Sequence, residues 1–288
     1  KLTKPSEYVL SERGKTRVVS GNHIRDRVVK RALCDEILIP SINKYLIHDN
    51  GASLSGKGIS FTRSRTETHL KRYYNEHGND GWILLGDFTK YFDNIQHKLL
   101  VDMFKKIIDN ETAIWLLEEV LKQARIDVSY MSDLEFENCL DVTFNSIDYN
   151  DINKEFLTGE KYMLKHMNIG DQIAQVAGIF YPKELDNYIK TVEGVKYYNR
   201  YMDDFYCVHN EKEYLISLMK KIEGICKNNG IILNKNKTRI CKVSDKWRYL
   251  QIQYSLTKSG KIIKKIHPKR LSNMRQKLKK MTKILDGK

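Results

Sequence analysis

Two adjacent aspartates inside a strand-forming run constrain this chain more than any other feature of its sequence. Asp203 and Asp204 follow Tyr197-Tyr198 and precede Phe205-Tyr206-Cys207-Val208. Aromatic and β-branched residues of this kind suit a sheet, whereas two carboxylates in the same run destabilise it unless something neutralises them. A turn at Met202-Asp203 would place both carboxylates at the tip of a hairpin. Divalent cations, which prefer carboxylate oxygens, would satisfy them there, although an isolated Asp-Asp pair is also common in ordinary acidic turns.

A third carboxylate occurs where a buried strand should have none. Asp87 ends the apolar run 82–86, which has the pattern of a core strand. Three carboxylates on two adjacent strands can hold two Mg²⁺ ions about 3.5–4 Å apart. In-line phosphoryl transfer needs little beyond such positioning and charge. The sequence therefore predicts a two-metal site in which Asp87, Asp203 and Asp204 are both metal ligands and catalytic residues.

The remaining pattern predicts a mixed α+β chain with strands that pair across long sequence distances. Pro40 is expected to close the first helix and Pro182 to kink or break a later one, and Gly230 is expected to cap another helix. No run approaches the roughly 18 to 20 apolar residues of a membrane span, and residues 1–20 contain no apolar signal segment. Strands are expected near 8–10, 15–19, 82–88, 196–201, 204–209, 231–233, 239–243 and 249–254, and helices near 23–39, 64–76, 97–108, 112–124, 171–191, 212–229 and 268–285.

Charge is distributed unevenly along the chain, whose net charge is +14. Residues 257–288 contain twelve Lys or Arg and one Asp, a density typical of surfaces that bind a polyanion. Residues 127–160 contain nine acids and one Lys, and we interpret them as an insertion or surface subdomain. That segment is either a docking surface for a basic partner or a plain solvated insertion. The five cysteines are scattered without a C-x-x-C pair, which argues against a zinc site or a disulfide framework.

Tyr201-Met202-Asp203-Asp204 resembles the signature turn of reverse transcriptases, and other motifs of that family occur in the family's order. Residues 87–92 (Asp-Phe-Thr-Lys-Tyr-Phe) resemble the first catalytic-aspartate motif. In the family the aromatic residue at the position of Phe92 is a steric gate that excludes a 2′-hydroxyl. Lys15-Thr16-Arg17 resembles the fingers hairpin whose basic residues hold the incoming triphosphate.

Three further segments resemble motifs of the same family. Residues 168–175 resemble the loop and helix start that contact template and nucleotide, and residues 249–252 resemble the primer-grip hairpin. Residues 234–238 resemble a later lysine motif, which makes Lys237 either a proton donor to pyrophosphate or a plain surface lysine. Beyond the residues already named, the resemblance implies nucleotide contacts from Phe88, Ile169, Gly170 and Gln172, a metal contact from Phe88, and nucleic-acid contacts from Tyr201, Met202, Lys269, Arg270 and Arg275.

The resemblance implies a right-hand polymerase fold, with fingers over 1–80, a palm over 81–256 and the start of a thumb over 257–288. The palm would carry a fingers or insertion segment at about 127–170. The implied activity is RNA-directed DNA polymerisation with two Mg²⁺ ions, or Mn²⁺, an RNA template, a DNA primer or product and deoxynucleotides. A partner protein or structured RNA is also expected and a membrane is not, and the resemblance implies a cytoplasmic protein that a bacterium or a phage encodes.

Ile169 makes the chain similar to prokaryotic members related to group II introns, above all those of diversity-generating retroelements and antiviral defence. Ala174-Gln175 departs from the Ser-Gln pair that the members of diversity-generating retroelements carry. An apolar residue at position 169 implies reduced copying fidelity, because the family's usual Gln makes a polar contact near the base pair. Two alternatives stay open. One is an RNA-directed RNA polymerase that shares the aspartates, and the other is a catalytically silent RNA-binding scaffold that kept the fold.

Overall fold

The computed structural model describes residues 2–12, 15–149, 151–266 and 268–286, with the backbone alone at 12, 15, 268–270, 285 and 286. Its content confirms the mixed α+β class. The strands are β1 (Ser6–Glu12), β2 (Lys15–Gly21), β3 (Trp82–Asp87), β4 (Tyr197–Tyr201), β5 (Asp204–His209), β6 (Arg239–Lys242), β7 (Trp247–Tyr249), β8 (Ile252–Leu256) and β9 (Ile262–Ile266). The α-helices are α1 (Ile24–Ala32), α2 (Ile39–Asn43), α3 (Ile59–His77), α4 (His97–Lys105), α5 (Glu111–Gln123), α6 (Asp133–Glu137), α7 (Ser146–Tyr149), α8 (Gln172–Phe180), α9 (Lys183–Asn187), α10 (Lys212–Asn228) and α11 (Pro268–Asp286).

A four-stranded antiparallel sheet in the order β4-β5-β3-β6 forms the centre of the molecule. Alternate residues of β3 enter two different cores, as the two-residue period of a strand requires. Leu84 packs into a large cluster that includes residues of α4, α5, α8 and α10, whereas Ile83 and Leu85 pack into a second cluster with α3 and β7–β8. Because both faces of β3 are covered, its run of apolar residues is uninterrupted up to Gly86-Asp87.

Two smaller sheets flank the centre. β1 and β2 form an antiparallel hairpin, as predicted, and β7-β8-β9 form an antiparallel three-stranded sheet. The prediction of one strand over 249–254 was wrong, because the chain turns at Leu250 and Gln251, which both have positive φ (45° and 69°). The prediction of a strand at 231–233 was also wrong, since this segment makes only a single β-bridge, between Leu233 and Phe88.

Pro40 does not end the first helical region, contrary to the prediction. Residues Leu33–Leu38 form a π-helical segment between α1 and α2, and Pro40 lies in the first turn of α2, which continues to Asn43. The Ile39 N–H bonds to the carbonyl of Cys34, five residues earlier. The wider π turn accommodates the proline, whose missing N–H costs little in the first turn of a helix. Pro182 does separate α8 from α9, as predicted.

The acidic stretch 127–160 forms a small unit with a hydrophobic cluster of its own. Ile126, Val128, Cys139, Phe144 and Met163 make up this cluster, and α6 and α7 lie within the stretch. The interpretation of this stretch as an insertion or surface subdomain stays a prediction. All five cysteines are free thiols, as predicted. Within the described ranges, we find no helix with the length and apolar character needed to cross a membrane.

Candidate active site

The structure brings Asp87, Asp203 and Asp204 to one end of the central sheet. Asp87 is the last residue of β3 and lies directly opposite Asp204, the first residue of β5. Tyr201 pairs with Asp204, so Met202 and Asp203 form a two-residue turn between β4 and β5. Met202 has a φ of 53°, which is uncommon for a residue with a side chain. Backbone strain of this kind concentrates at functional sites, and here it projects two carboxylates beside a third.

The three carboxylates concentrate negative charge at this end of the sheet. Burial in the first place, and then the neighbouring Asp203 and Asp87 carboxylates, together raise the pKa of Asp204 to about 7. Asp87 has two polar partners from the segment after α10. The Lys237 Nζ lies 2.7 Å from both Asp87 carboxylate oxygens, and the Asn234 side-chain amide donates to Oδ1 at 3.0 Å. The structure thus places Lys237 at the carboxylate cluster, although its side chain is 52% exposed.

Divalent cations match this donor set in chemistry, because Mg²⁺ takes carboxylate oxygens and the crowded carboxylates gain from a positive charge. The described residues do not form a complete set of metal ligands, however. Across the described residues, no three or more His, Cys, Asp or Glu side chains are grouped so that they could hold a metal ion. The ammonium of Lys237 neutralises Asp87 instead. Binding of a cation at Asp87 therefore competes with this ion pair.

Phe92 lies beside the hairpin tip, in a 3₁₀ turn (Tyr91–Asn94) that follows β3. Its ring is half-buried and packs against Tyr91 at a centroid distance of 5.4 Å. Phe88, by contrast, is buried between Tyr91 and Phe205, with ring centroids 5.3 and 5.7 Å away. Only the backbone of Phe88 is therefore available to a nucleotide or a metal ion.

The loop before α8 is tied to the β1–β2 hairpin. The carbonyl of Ile169 accepts a hydrogen bond from the Ser20 N–H at 3.0 Å. Gly170 has a φ of 103°, and a Cβ there would lie 3.1 Å from the Ser20 carbonyl oxygen, so glycine is required. Asp171 caps α8 and forms a buried ion pair with Lys30 of α1. The predicted nucleotide-contacting loop and the hairpin thus form one connected unit.

The other predicted contact residues are more dispersed. Arg17 is exposed on β2, and the Gln172 amide donates to Asp35 at 3.0 Å. Tyr201 is partly buried, and Arg275 is exposed on α11. The side chains of Lys15, Lys269 and Arg270 lie outside the described residues.

A buried ion pair beneath the hairpin was missed by the sequence analysis. Arg200 is fully buried, and its guanidinium lies 2.6 Å from an Asp186 carboxylate oxygen. The same guanidinium donates to the carbonyls of Met202 and Ile179, each at 2.8 Å. It therefore ties the turn that carries Asp203 to α8 and α9. A charged residue inside the strand run 197–201 was the available signal, because buried arginines need partners.

A family model described as reverse transcriptase (RNA-dependent DNA polymerase) matches residues 2–254. No curated protein matches the chain at a significant level. The matched range includes all three aspartates, Lys237 and the turn at Met202, and it ends within β8.

Proposed function

The chain belongs to the reverse transcriptase family, and from this membership we propose that it adds deoxynucleotides to a primer 3′ end on an RNA template. The observation that carries the proposal is the direct pairing of Asp87 with Asp204 beside the strained turn that presents Asp203. An unneeded carboxylate cluster of this kind destabilises a fold, so a role in catalysis accounts for it better than a silent scaffold does.

Asp87, Asp203 and Asp204 would hold two divalent ions, with Phe88 contributing through its backbone. When bound, Mg²⁺ supplies activation of the primer hydroxyl and charge stabilisation of the leaving pyrophosphate. The chain's own groups position the reactants: the Arg17 guanidinium reaches the triphosphate as a charge-assisted donor. Lys237 donates a proton at its Nζ to the leaving pyrophosphate once released from Asp87.

Sugar selection falls to Phe92 in this proposal. Its ring is half-buried, and in this proposal it would abut C2′ of the incoming sugar and exclude a 2′-hydroxyl. Ile169 and Gly170 would contact the template–nucleotide pair, and the exposed basic residues of α11, such as Arg275, would follow the duplex backbone through phosphate contacts. Residues 1–80, 81–256 and 257–288 would then correspond to fingers, palm and the start of a thumb.

Primer extension on an RNA template with deoxynucleotides and Mg²⁺ tests the proposal. Asp203→Asn should abolish extension and leave RNA binding unchanged, since it removes a charge at the site and nothing that contacts the duplex. Asp151→Asn, an exposed acid in the 127–160 unit, is the matched control and should extend normally. Extension by Asp203→Asn at the wild-type rate would refute a catalytic role for the cluster.

The choice of sugar separates the two polymerase alternatives. The wild type should use deoxynucleotides in strong preference, and Phe92→Ala should gain ribonucleotide incorporation because the ring no longer occupies the space beside C2′. Equal use of both sugars by the wild type would point to RNA-directed RNA polymerisation instead.

The proposal includes a biological role in diversity generation, retroelement mobility or antiviral defence, and Ile169 is the residue that supports it. Its apolar side chain cannot make the polar contact of a Gln near the base pair, so misincorporation should be frequent. Ile169→Gln should lower misincorporation when products copied from a defined RNA are sequenced. An unchanged error frequency in Ile169→Gln would remove this support for the diversifying subtype.

A further inference from the structure

A single glycine separates the Phe92 ring from the catalytic hairpin. Gly178 lies in α8, and a Cβ built there would sit 3.1 Å from Cε1 and 3.3 Å from Cζ of Phe92. The same atom would sit 3.0 Å from the Met202 sulfur. These distances are shorter than ordinary van der Waals contact between carbon atoms, which is about 3.5–4.0 Å. Both side chains therefore occupy space that any other residue at position 178 would need.

The backbone at Gly178 cannot retreat to make room. Its carbonyl accepts hydrogen bonds from the Tyr91 hydroxyl at 3.0 Å and from Arg200 Nη1 at 3.3 Å. The flanking residues Ala177 and Ile179 are both buried. Since α8 is held on several sides, an added methyl group has to be accommodated by the two side chains in front of it.

Of these two side chains, the Phe92 ring is the more exposed. Met202 is 8% exposed, and its backbone is held in the strained turn by the hydrogen bond from Arg200 to its carbonyl. Phe92 is only half-buried, with Tyr91 packed against it. A methyl group at position 178 is therefore expected to displace the Phe92 ring by a few tenths of an ångström away from α8.

We propose that Gly178 is a specificity-determining positioning residue, whose missing side chain sets how far the Phe92 ring projects toward the sugar of the incoming nucleotide. The inference rests on the proposed function, in which Phe92 is the sugar gate. Glycine within a helix is unfavourable relative to alanine, and here the packing of Phe92 and Met202 accounts for it. Gly178 acts through Phe92 and has no contact with substrate.

The experiment compares Gly178→Ala with Gly224→Ala in single-nucleotide incorporation on an RNA template. Gly224 is an exposed glycine within α10 with no atom within 4 Å of an added Cβ, so its substitution is the matched control. We expect Gly178→Ala to lower kcat/KM for a ribonucleotide roughly threefold to tenfold more than for the matching deoxynucleotide, because small displacements of a positioning group are costly. Gly224→Ala should leave the ratio of the two unchanged.

A double variant shows whether the effect passes through the ring. In a Phe92→Ala background the Met202 sulfur still faces position 178 but the ring is absent, so Gly178→Ala should no longer change the ratio of kcat/KM for the two nucleotides. A merely structural defect would lower kcat/KM equally for the ribonucleotide and the deoxynucleotide, and it would persist in the Phe92→Ala background. Either result overturns the proposal. If Gly178→Ala alone fails to fold, recovery of folding in the double variant supports the contact, and failure to recover overturns it.

The outcomes also distinguish this inference from the proposed function. Absence of deoxynucleotide incorporation by the wild type would contradict the polymerase itself. A wild type that polymerises, with a Phe92→Ala variant that gains no ribonucleotide, would contradict the gate and with it this inference. A functioning gate with an unchanged ratio in Gly178→Ala would contradict only the role of Gly178.

Discussion

Replacement of Arg200 by Met should be among the most destabilising single changes in this protein. Arg200 and Asp186 are 0% and 1% exposed, and the guanidinium also donates to the carbonyls of Met202, Ile179 and Gly178. Without it, the Asp186 carboxylate keeps the Tyr198 hydroxyl at 2.6 Å but has no countercharge. The buried carboxylate then becomes the main source of instability.

The expected magnitude follows from the cost of an uncompensated buried charge. Removing one partner of a buried ion pair costs about 3–5 kcal/mol, and leaving buried carbonyls without donors adds to it. A domain of ordinary stability, about 5–15 kcal/mol, would lose a large part of its stability. Arg200→Met with Asp186→Leu should be less destabilising than Arg200→Met alone, since the double variant removes the uncompensated charge.

Urea unfolding followed by circular dichroism measures these free energies. Arg31→Met is the matched control, because Arg31 forms an exposed i,i+4 pair with Asp35 and its side chain is 69% exposed. Such surface pairs contribute about 0–1 kcal/mol. A loss below about 1 kcal/mol in Arg200→Met, or a double variant with Asp186→Leu whose loss equals the sum of the two single losses, would refute the assignment of the pair as a buried anchor.

Three further outcomes are expected. Gly86→Ala should lower the free energy of unfolding by roughly 1–3 kcal/mol, because an added Cβ would lie 2.1 Å from the Phe205 ring, whereas Gly224→Ala should cause no loss in the same urea assay. Burial lowers the pKa of His97 from 6.5 to about 4, so only the unfolded chain binds the proton in that interval. Stability should therefore fall by up to roughly 3 kcal/mol as pH drops from 6.5 toward 4, and His97→Asn should show a smaller fall in unfolding measured across that range. Mg²⁺ should raise the melting temperature of the wild type more than that of Asp204→Asn, and an equal rise in both would argue against binding at the carboxylates.

The β4–β5 hairpin and β3 were predictable because their signals are local. A run of aromatic and apolar residues interrupted by Asp203-Asp204 specifies two strands and a turn, and the apolar run before Asp87 specifies a buried strand. That β3 and β5 would be neighbours followed from the need to neutralise three carboxylates together. The structure agrees with this reasoning in the register of the two strands.

Other features could not be read from local patterns. The turn at Leu250 and Gln251 has positive φ at both residues without the Gly or Asn that usually indicates such a turn, so only the resemblance of residues 249–252 to a hairpin motif indicated it. The ion pair between Lys237 and Asp87 joins residues 150 positions apart, and a lysine in a polar segment gives no hint of its partner. Arg200 was missed because charged residues are usually exposed, and its position within a strand run indicated burial without indicating Asp186 as the partner.

The pairing of Asp87 with Asp204 means that the site depends on strand alignment and not only on residue identity. Adding or deleting one residue within β3 would turn Asp87 to the opposite face of the sheet, because side chains alternate along a strand. Related chains that keep this chemistry should therefore preserve the lengths of β3 and the β4–β5 hairpin without gaps. Length variation should accumulate instead in segments such as 127–160, whose described residues contribute to a separate hydrophobic cluster and to no strand of the central sheet.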